Sequence, residues 1–222
     1  MKKAVKPGVL LTFVSVILLF VFIVFVPFGN ALFFEFVMWS RNEKLRPWAL
    51  RNLQNLKLRG LNGLRQALTH EDFETRSVAA DGIGQLGPDG APAVNDLIKL
   101  LIDKEVEVRR RVVWALGNIG TEESLRGLTK AIEDENEFIR QYVCQALFDA
   151  GPRAAFAVDK LALRLEKDDN WEVRELSAKT LGMLGKAASA AIPTLEKTAK
   201  DDDEDVAAAS SAALKKIRSF RD

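Results

Sequence analysis

The sequence predicts an all-α solenoid of about five helical hairpins, preceded by one transmembrane helix. Three observations predict it. No charged residue occurs from Pro7 to Phe34. Residues 60–222 repeat with a period near 33, the signature of stacked units that cannot bury their apolar faces alone. Within each copy the apolar positions recur at helical spacing and end on a glycine.

The first element is a short basic tail, residues 1–8, carrying Lys2, Lys3 and Lys6. It leads into residues 9–28, of which 17 are Val, Leu, Ile or Phe. As a helix, at roughly 1.5 Å per residue, 20 such residues span the ~30 Å of a bilayer core. Their summed transfer energy is about −5 to −10 kcal/mol, with no charge to oppose it. A cleavable signal has a shorter apolar core, about 7–15 residues, followed by a small-x-small site. The candidate here is Gly29-Asn30-Ala31. The length favours an uncleaved single-pass anchor, with secretion after cleavage as the alternative. Three lysines before the segment balance Arg41, Lys44 and Arg46 after it. The acid-free tail reads as a signal-anchor that places the repeat domain outside the cytoplasm.

Residues 29–58 form the next element. Pro27 to Asn30 reads as the exit of the membrane helix, and Ala31 to Trp39 (ALFFEFVMW) as an interfacial, aromatic-rich stretch or a cap on the first repeat. RPWALRNLQNL (46–56) echoes WALGNI of 114–119 and reads as a degenerate helix, either a cap or a stiff link. The whole chain has 32 basic and 31 acidic residues, net charge +1, but from residue 29 onward it is mildly acidic. That balance argues against a polyanion binder acting through bulk charge.

The repeat domain, residues 59–222, holds the clearest copies: TRSVAADGIGQLG (75–87), VRRRVVWALGNIG (108–120), IRQYVCQALFDAG (139–151), VRELSAKTLGMLG (173–185) and VAAASSAALKKIR (206–218). Counting from the first residue of each copy, positions 0, 4, 5, 7, 8 and 11 are apolar or small, one stripe of a 3.6-residue helix. Position 8 is Ile83, Leu116, Leu147, Leu181 and Leu214, and position 12 is Gly87, Gly120, Gly151 and Gly185. A glycine there tolerates the positive φ on which helices stop. Between the copies lie second helical segments such as 91–103 and 121–134, with Pro92, Pro152 and Pro193 near their starts. The last copy replaces larger residues with Ala207, Ala208, Ala209 and Ala212, as a terminal unit should.

The Val-Arg pair, the terminal glycine and a turn aspartate six residues before the arginine are Asp103/Arg109, Asp134/Arg140 and Asp168/Arg174. On these residues the chain resembles the HEAT-like repeats, in the short bacterial form also seen in phycobilisome lyase-type proteins. The first copy has His70 before Arg76, and the last keeps Asp201 but has Ala207 instead of Arg. The resemblance implies that these aspartates and Arg76, Arg109, Arg140 and Arg174 join adjacent repeats. It also implies that the Val-Arg helices line a concave face.

Catalytic and metal chemistry have little to work with. One histidine, His70, cannot build the di-iron site of the HEAT-like deoxyhypusine hydroxylases, and the Asp201–Asp205 run lacks the glycine and distal glutamate of a calcium loop. The glycine-rich stretch 84–90 follows no strand and has no Lys-Ser/Thr, so it does not read as a phosphate loop. Cys144 occupies a small inward position shared with Ala80, Val113, Ala178 and Ser211, and reads as an inert thiol. The chain is expected to be no enzyme, with no cofactor, no metal and no small-molecule substrate.

The resemblance makes the residues that vary around the fixed scaffold the candidate binding set. They are Arg110, Arg111, Trp114, Asn118, Phe138, Gln141, Tyr142, Gln145, Trp171, Glu175 and Lys179, with Phe73, Val78, Asp81, Val106, Asp149, Leu176 and Met183 beside them. Trp, Tyr and Arg are enriched where a few anchors dominate an interface. Packing between helices is the alternative role, above all for Phe138 and Trp171. The expected partner is a protein or peptide held in a groove centred on Trp114, Tyr142 and Arg111, with the membrane engaged through residues 9–28. Nucleic acid is disfavoured, because Arg110, Arg111 and Lys179 are mixed with Asp81, Asp149 and Glu175. A lyase-type or chaperone-like role toward a tetrapyrrole-binding protein stays open on the repeat subtype alone.

Overall fold

The computed structural model describes residues 60–219. Ten α-helices, joined by turns and 3₁₀ segments and with no strand among the described residues, form five hairpins. The first helix of each hairpin is short: α1 (Leu61–Ala67), α3 (Val94–Lys99), α5 (Glu122–Leu128), α7 (Val158–Lys167) and α9 (Ile192–Thr198). The second is longer: α2 (Phe73–Gln85), α4 (Val106–Ile119), α6 (Glu137–Ala150), α8 (Trp171–Leu184) and α10 (Glu204–Arg218). Helices of the long row pack successively on one another, and the short row lies behind them.

Four of the five long helices, all but α4, begin on polar side chains that cap them. Asp72 accepts from the Thr75 amide at 3.0 Å, Asn136 from Ile139 at 3.3 Å, Asn170 from Glu172 at 2.8 Å and Asp203 from Val206 at 3.2 Å. Each cap satisfies a first-turn N–H that has no partner inside the helix. Four glycines, Gly87, Gly120, Gly151 and Gly185, follow the ends of α2, α4, α6 and α8 with φ between 56° and 64°, a region that side-chain-bearing residues avoid.

The short row is less regular than its sequence pattern predicts. Segment 91–103 is a 3₁₀ stretch Gly87–Ala93, then α3, then a 3₁₀ turn Leu100–Ile102. Pro92 lies inside that first stretch, where its missing N–H denies the ladder a regular bond. Hairpins four and five enter through similar segments, Gly151–Ala157 and Gly185–Ala191. Hairpin three has none: Thr121 caps α5 directly by accepting from the Ser124 amide at 3.2 Å. The copy that includes α6 starts 31 residues after the one before it, against 33 or 34 for the others.

The repeat stripe is the core. Ile83, Leu116, Leu147 and Leu181 are fully buried, as are Ala79, Val112, Val143 and Ser177 one turn earlier. One inward assignment fails: Ser211 is exposed. Its equivalents Ala80, Val113, Cys144 and Ala178 are buried because that position faces the following hairpin, and no described hairpin follows α10.

The expected membrane helix, residues 9–28, and the interfacial and capping stretch 29–58 lie outside the described residues. Among the described residues, no helix is long and apolar enough to cross a membrane.

Candidate functional site

Two sets of side chains recur along the repeats: an arginine ladder at the turns, and a row of exposed groups on the long helices.

In the ladder, each guanidinium faces two turns at once. Arg109 donates through Nη1 to the carbonyl of Asp103 in its own turn at 2.8 Å, and through Nε and Nη2 to the Asp134 carboxylate of the next turn at 2.8 and 3.1 Å. Arg140 does the same, reaching the Asp134 carbonyl at 2.9 Å and Asp168 at 2.8 and 2.7 Å. Arg76 reaches the His70 carbonyl at 2.8 Å and Asp103 at 2.7 and 2.9 Å. The forked guanidinium matches a carboxylate with two parallel bonds, which a lysine ammonium would not. Glu135 and Asp169 add a further carboxylate to Arg109 and Arg140.

The carboxylates also hold their own turns. Asp103, Asp134, Asp168 and Asp201 each accept from the amide two residues on, at 2.9 to 3.1 Å. In the first turn His70 takes this role, its Nδ1 accepting from the Asp72 amide at 3.0 Å. The last rung is weaker: Arg174 reaches the Asp168 carbonyl at 3.0 Å but makes a single bond to Asp201 at 3.1 Å, and its Nε is buried without a partner.

These contacts set the titration of the ladder. Burial pushes the Asp103 carboxyl up, but hydrogen bonds from Arg76 and the Glu105 amide, with the Arg76 charge, outweigh it and hold the group below the usual carboxylate range. Hydrogen bonding to Asp134 and Asp168 raises Arg109 and Arg140 above an ordinary guanidinium.

The candidate binding residues are all exposed or half-buried on the long row. Phe138 and Trp171, for which packing was the alternative, are 56% and 42% exposed. Trp114 and Tyr142 are 36% and 42% exposed and line one cleft of about 310 Å³ between α4 and α6, with Asn118, Gln145 and Arg153 around it. The Trp114 ring leans on Gly84 of α2, where an added Cβ would lie 2.6 Å from the ring.

Arg110 and Arg111 do not stand free. Both are clamped by Glu107, Arg110 at 2.6 and 2.9 Å and Arg111 at 2.9 Å, and Arg111 also reaches Asp81 at 2.7 Å. The hydrogen bond from Arg110 is the largest cause of the lowered Glu107 carboxyl. Gln141 bonds Glu172 at 3.0 Å, Gln145 bonds Asp149 at 2.9 Å, and Lys179 pairs with Glu175 at 2.6 Å. The face is therefore aromatic and internally neutralised. Glu107 was absent from the candidate set, although its position three and four residues before two arginines is the spacing at which helical ion pairs form.

Phe148 was missed as well, and it is 37% exposed. It occupies position 9 of its copy, where three others have Gly84, Gly117 and Gly182, so a column-by-column comparison reveals it.

Cys144 is buried, 3.6 Å from the Ser177 hydroxyl, and burial pushes its thiol up to about 11. Such a thiol is a packing group, not a nucleophile. No group of three or more His, Cys, Asp and Glu among the described residues is placed to hold a metal ion.

Residues 61–148 and 158–222 match the family model for HEAT repeats. No curated protein matches the chain significantly. Among solved structures, an engineered protein is 21% identical, with a TM-score of 0.61 over 86% of this chain and 97% of its own. A second engineered protein is 20% identical, with a TM-score of 0.60 over 87% of this chain and 59% of its own. Computationally designed armadillo repeat proteins for modular peptide recognition are 19% identical, with a TM-score of 0.60 over 83% of this chain and 98% of theirs. At these identities the likeness is one of fold.

Proposed function

The chain belongs to the HEAT-repeat family, and on that premise we propose that it is a membrane-tethered scaffold whose long-helix face, the concave face of such solenoids, binds a protein or peptide partner. The observation that carries this reading is the cleft between α4 and α6, where Trp114 and Tyr142 stand exposed on an otherwise satisfied scaffold. Large aromatics held rigidly over a cleft supply contact area with little entropy to lose, the property of interface anchors. Designed armadillo repeat proteins of similar fold are made for modular peptide recognition, which supports a linear partner.

Residues 9–28 are assigned as the tether on their length and lack of charge, with the repeats on the extracytoplasmic side. A tether raises the effective concentration of partners on the same membrane, so modest affinity suffices. Protease protection in intact cells tests the placement: the repeats are digested from outside if it is right and protected if it is wrong. Binding to nucleic acid is not part of the proposal, because Asp81 and Glu107 already neutralise Arg110 and Arg111.

A pull-down from detergent-solubilised membranes tests the binding face. The partner recovered by the native chain is lost with Trp114→Ala/Tyr142→Ala. Its retention by that variant, folded by circular dichroism, overturns the proposal.

A further inference from the structure

A second, larger groove of about 760 Å³ lies further along the same face, between α6, α8 and α10. At position 9, Gly84 and Gly182 let the next helix approach closely: an added Cβ would fall 2.7 Å from the Ala115 Cα and 2.9 Å from the Ala213 Cα. In α6 that position is Phe148, a large side chain that is 37% exposed on the same face. Phe148 and Met183 form one wall of the opening. The facing wall is made of Ala208, Ala209 and Ala212, whose short side chains leave the space unfilled.

The charge around this groove is ordered along α10. Glu175 is cancelled by Lys179 at 2.6 Å. Asp205 stands at the start of α10, and Lys215 and Lys216 stand near its end, about 15 Å away at ~1.5 Å per residue. Neither lysine has an ion-pair partner among the described residues, whereas Arg218 beside them is paired with Glu196. The groove is thus apolar in its middle, with the Asp205 carboxylate at one end and the uncompensated positive charge of Lys215 and Lys216 at the other.

Resting on the binding face proposed above, we infer that this groove takes a linear peptide segment with one or two large apolar side chains followed directly by acidic residues. The apolar side chains fill the space between Phe148, Met183 and the alanines, and the acidic residues meet Lys215 and Lys216. Its volume lies within the roughly 300–1,000 Å³ of sites that enclose ligands of that size. The opposite order, with basic residues toward the lysines, places like charges together.

The test uses the full-length chain in phosphatidylcholine nanodiscs, with empty nanodiscs as control, and fluorescence anisotropy of three labelled peptides. One carries Phe-Leu followed by Asp-Glu-Asp, the second Phe-Leu followed by Lys-Arg-Lys, and the third the acidic tail with Gly-Gly in place of Phe-Leu. The first is expected to bind at least tenfold more tightly than either of the others. Lys215→Glu/Lys216→Glu is expected to lower its affinity at least tenfold and to favour the basic peptide. Ala212→Trp, at an exposed position on the groove wall, is expected to abolish binding of the first peptide. Equal affinities, indifference to both variants, or no binding of any peptide overturns the inference. No peptide binding together with loss of the pulled-down partner in Trp114→Ala/Tyr142→Ala removes the groove assignment and leaves the binding-face reading standing.

Discussion

At the scale of single residues, the ladder is where sequence and energetics meet most directly. Its members were legible because a helix-turn unit repeated five times turns each role into a column. What a column does not show is which atoms meet. Arg109 uses Asp103 only through its carbonyl, and its carboxylate partner is Asp134 in the next turn. The rungs should therefore differ in worth. The Asp168 carboxylate is fully buried beneath Arg140, so Arg140→Ala leaves it only the longer Arg164 contact at 3.5 Å and the Asn170 amide, and is expected to cost about 3 kcal/mol in urea denaturation. Arg174→Ala breaks a single-bonded, more exposed pair and is expected to cost about 1 kcal/mol. Titration gives a second reading. Because Asp103 is held below the usual carboxylate range, its contribution is complete above the ordinary value near pH ~4 and is lost as pH falls through the lowered one. The destabilisation caused by Arg76→Ala is accordingly expected to be larger at pH 7 than at pH 3, measured as the difference in unfolding free energy from the native chain.

The elements show why some features escaped a one-dimensional reading. The long helices were legible with their glycine stops, since burial of positions 4 and 8 follows from a 3.6-residue period. The irregular short row was not, because Pro92 and the post-glycine segments replace regular helix by 3₁₀ turns whose extent depends on packing. Ser211 fell on the right stripe but on the last helix, where nothing described covers it. Helix contacts at glycine give the sharpest prediction at this scale. Alanine is the better helix former by about 1 kcal/mol, yet at Gly84 its Cβ would lie 2.7 Å from the Ala115 Cα and 2.6 Å from the Trp114 ring. Overpacking of this kind costs about 1–3 kcal/mol. Gly84→Ala is thus expected to lower the thermal midpoint, and a midpoint raised by the substitution would show that α2 and α4 are not so close.

For the whole molecule, the fold followed from the repeat, but the character of its binding face did not. Composition gives a near-neutral total; only the structure shows Arg110, Arg111 and Lys179 paired on the face, with Trp114 and Tyr142 exposed among them. The cleft holding Trp114 and Tyr142 also sits between α4 and α6, which pack less closely than the end pairs, a property of the assembled array that no single copy carries. Partners are expected to bind the long row and not the short one. Photo-cross-linking in cells tests it most directly, with benzoylphenylalanine placed at Gln145 in the α4–α6 cleft, or at exposed Asn95 and Lys130 on the short row. One discrete adduct is expected from Gln145 and none from Asn95 or Lys130. The same adduct from the short-row positions, without one from Gln145, would contradict it.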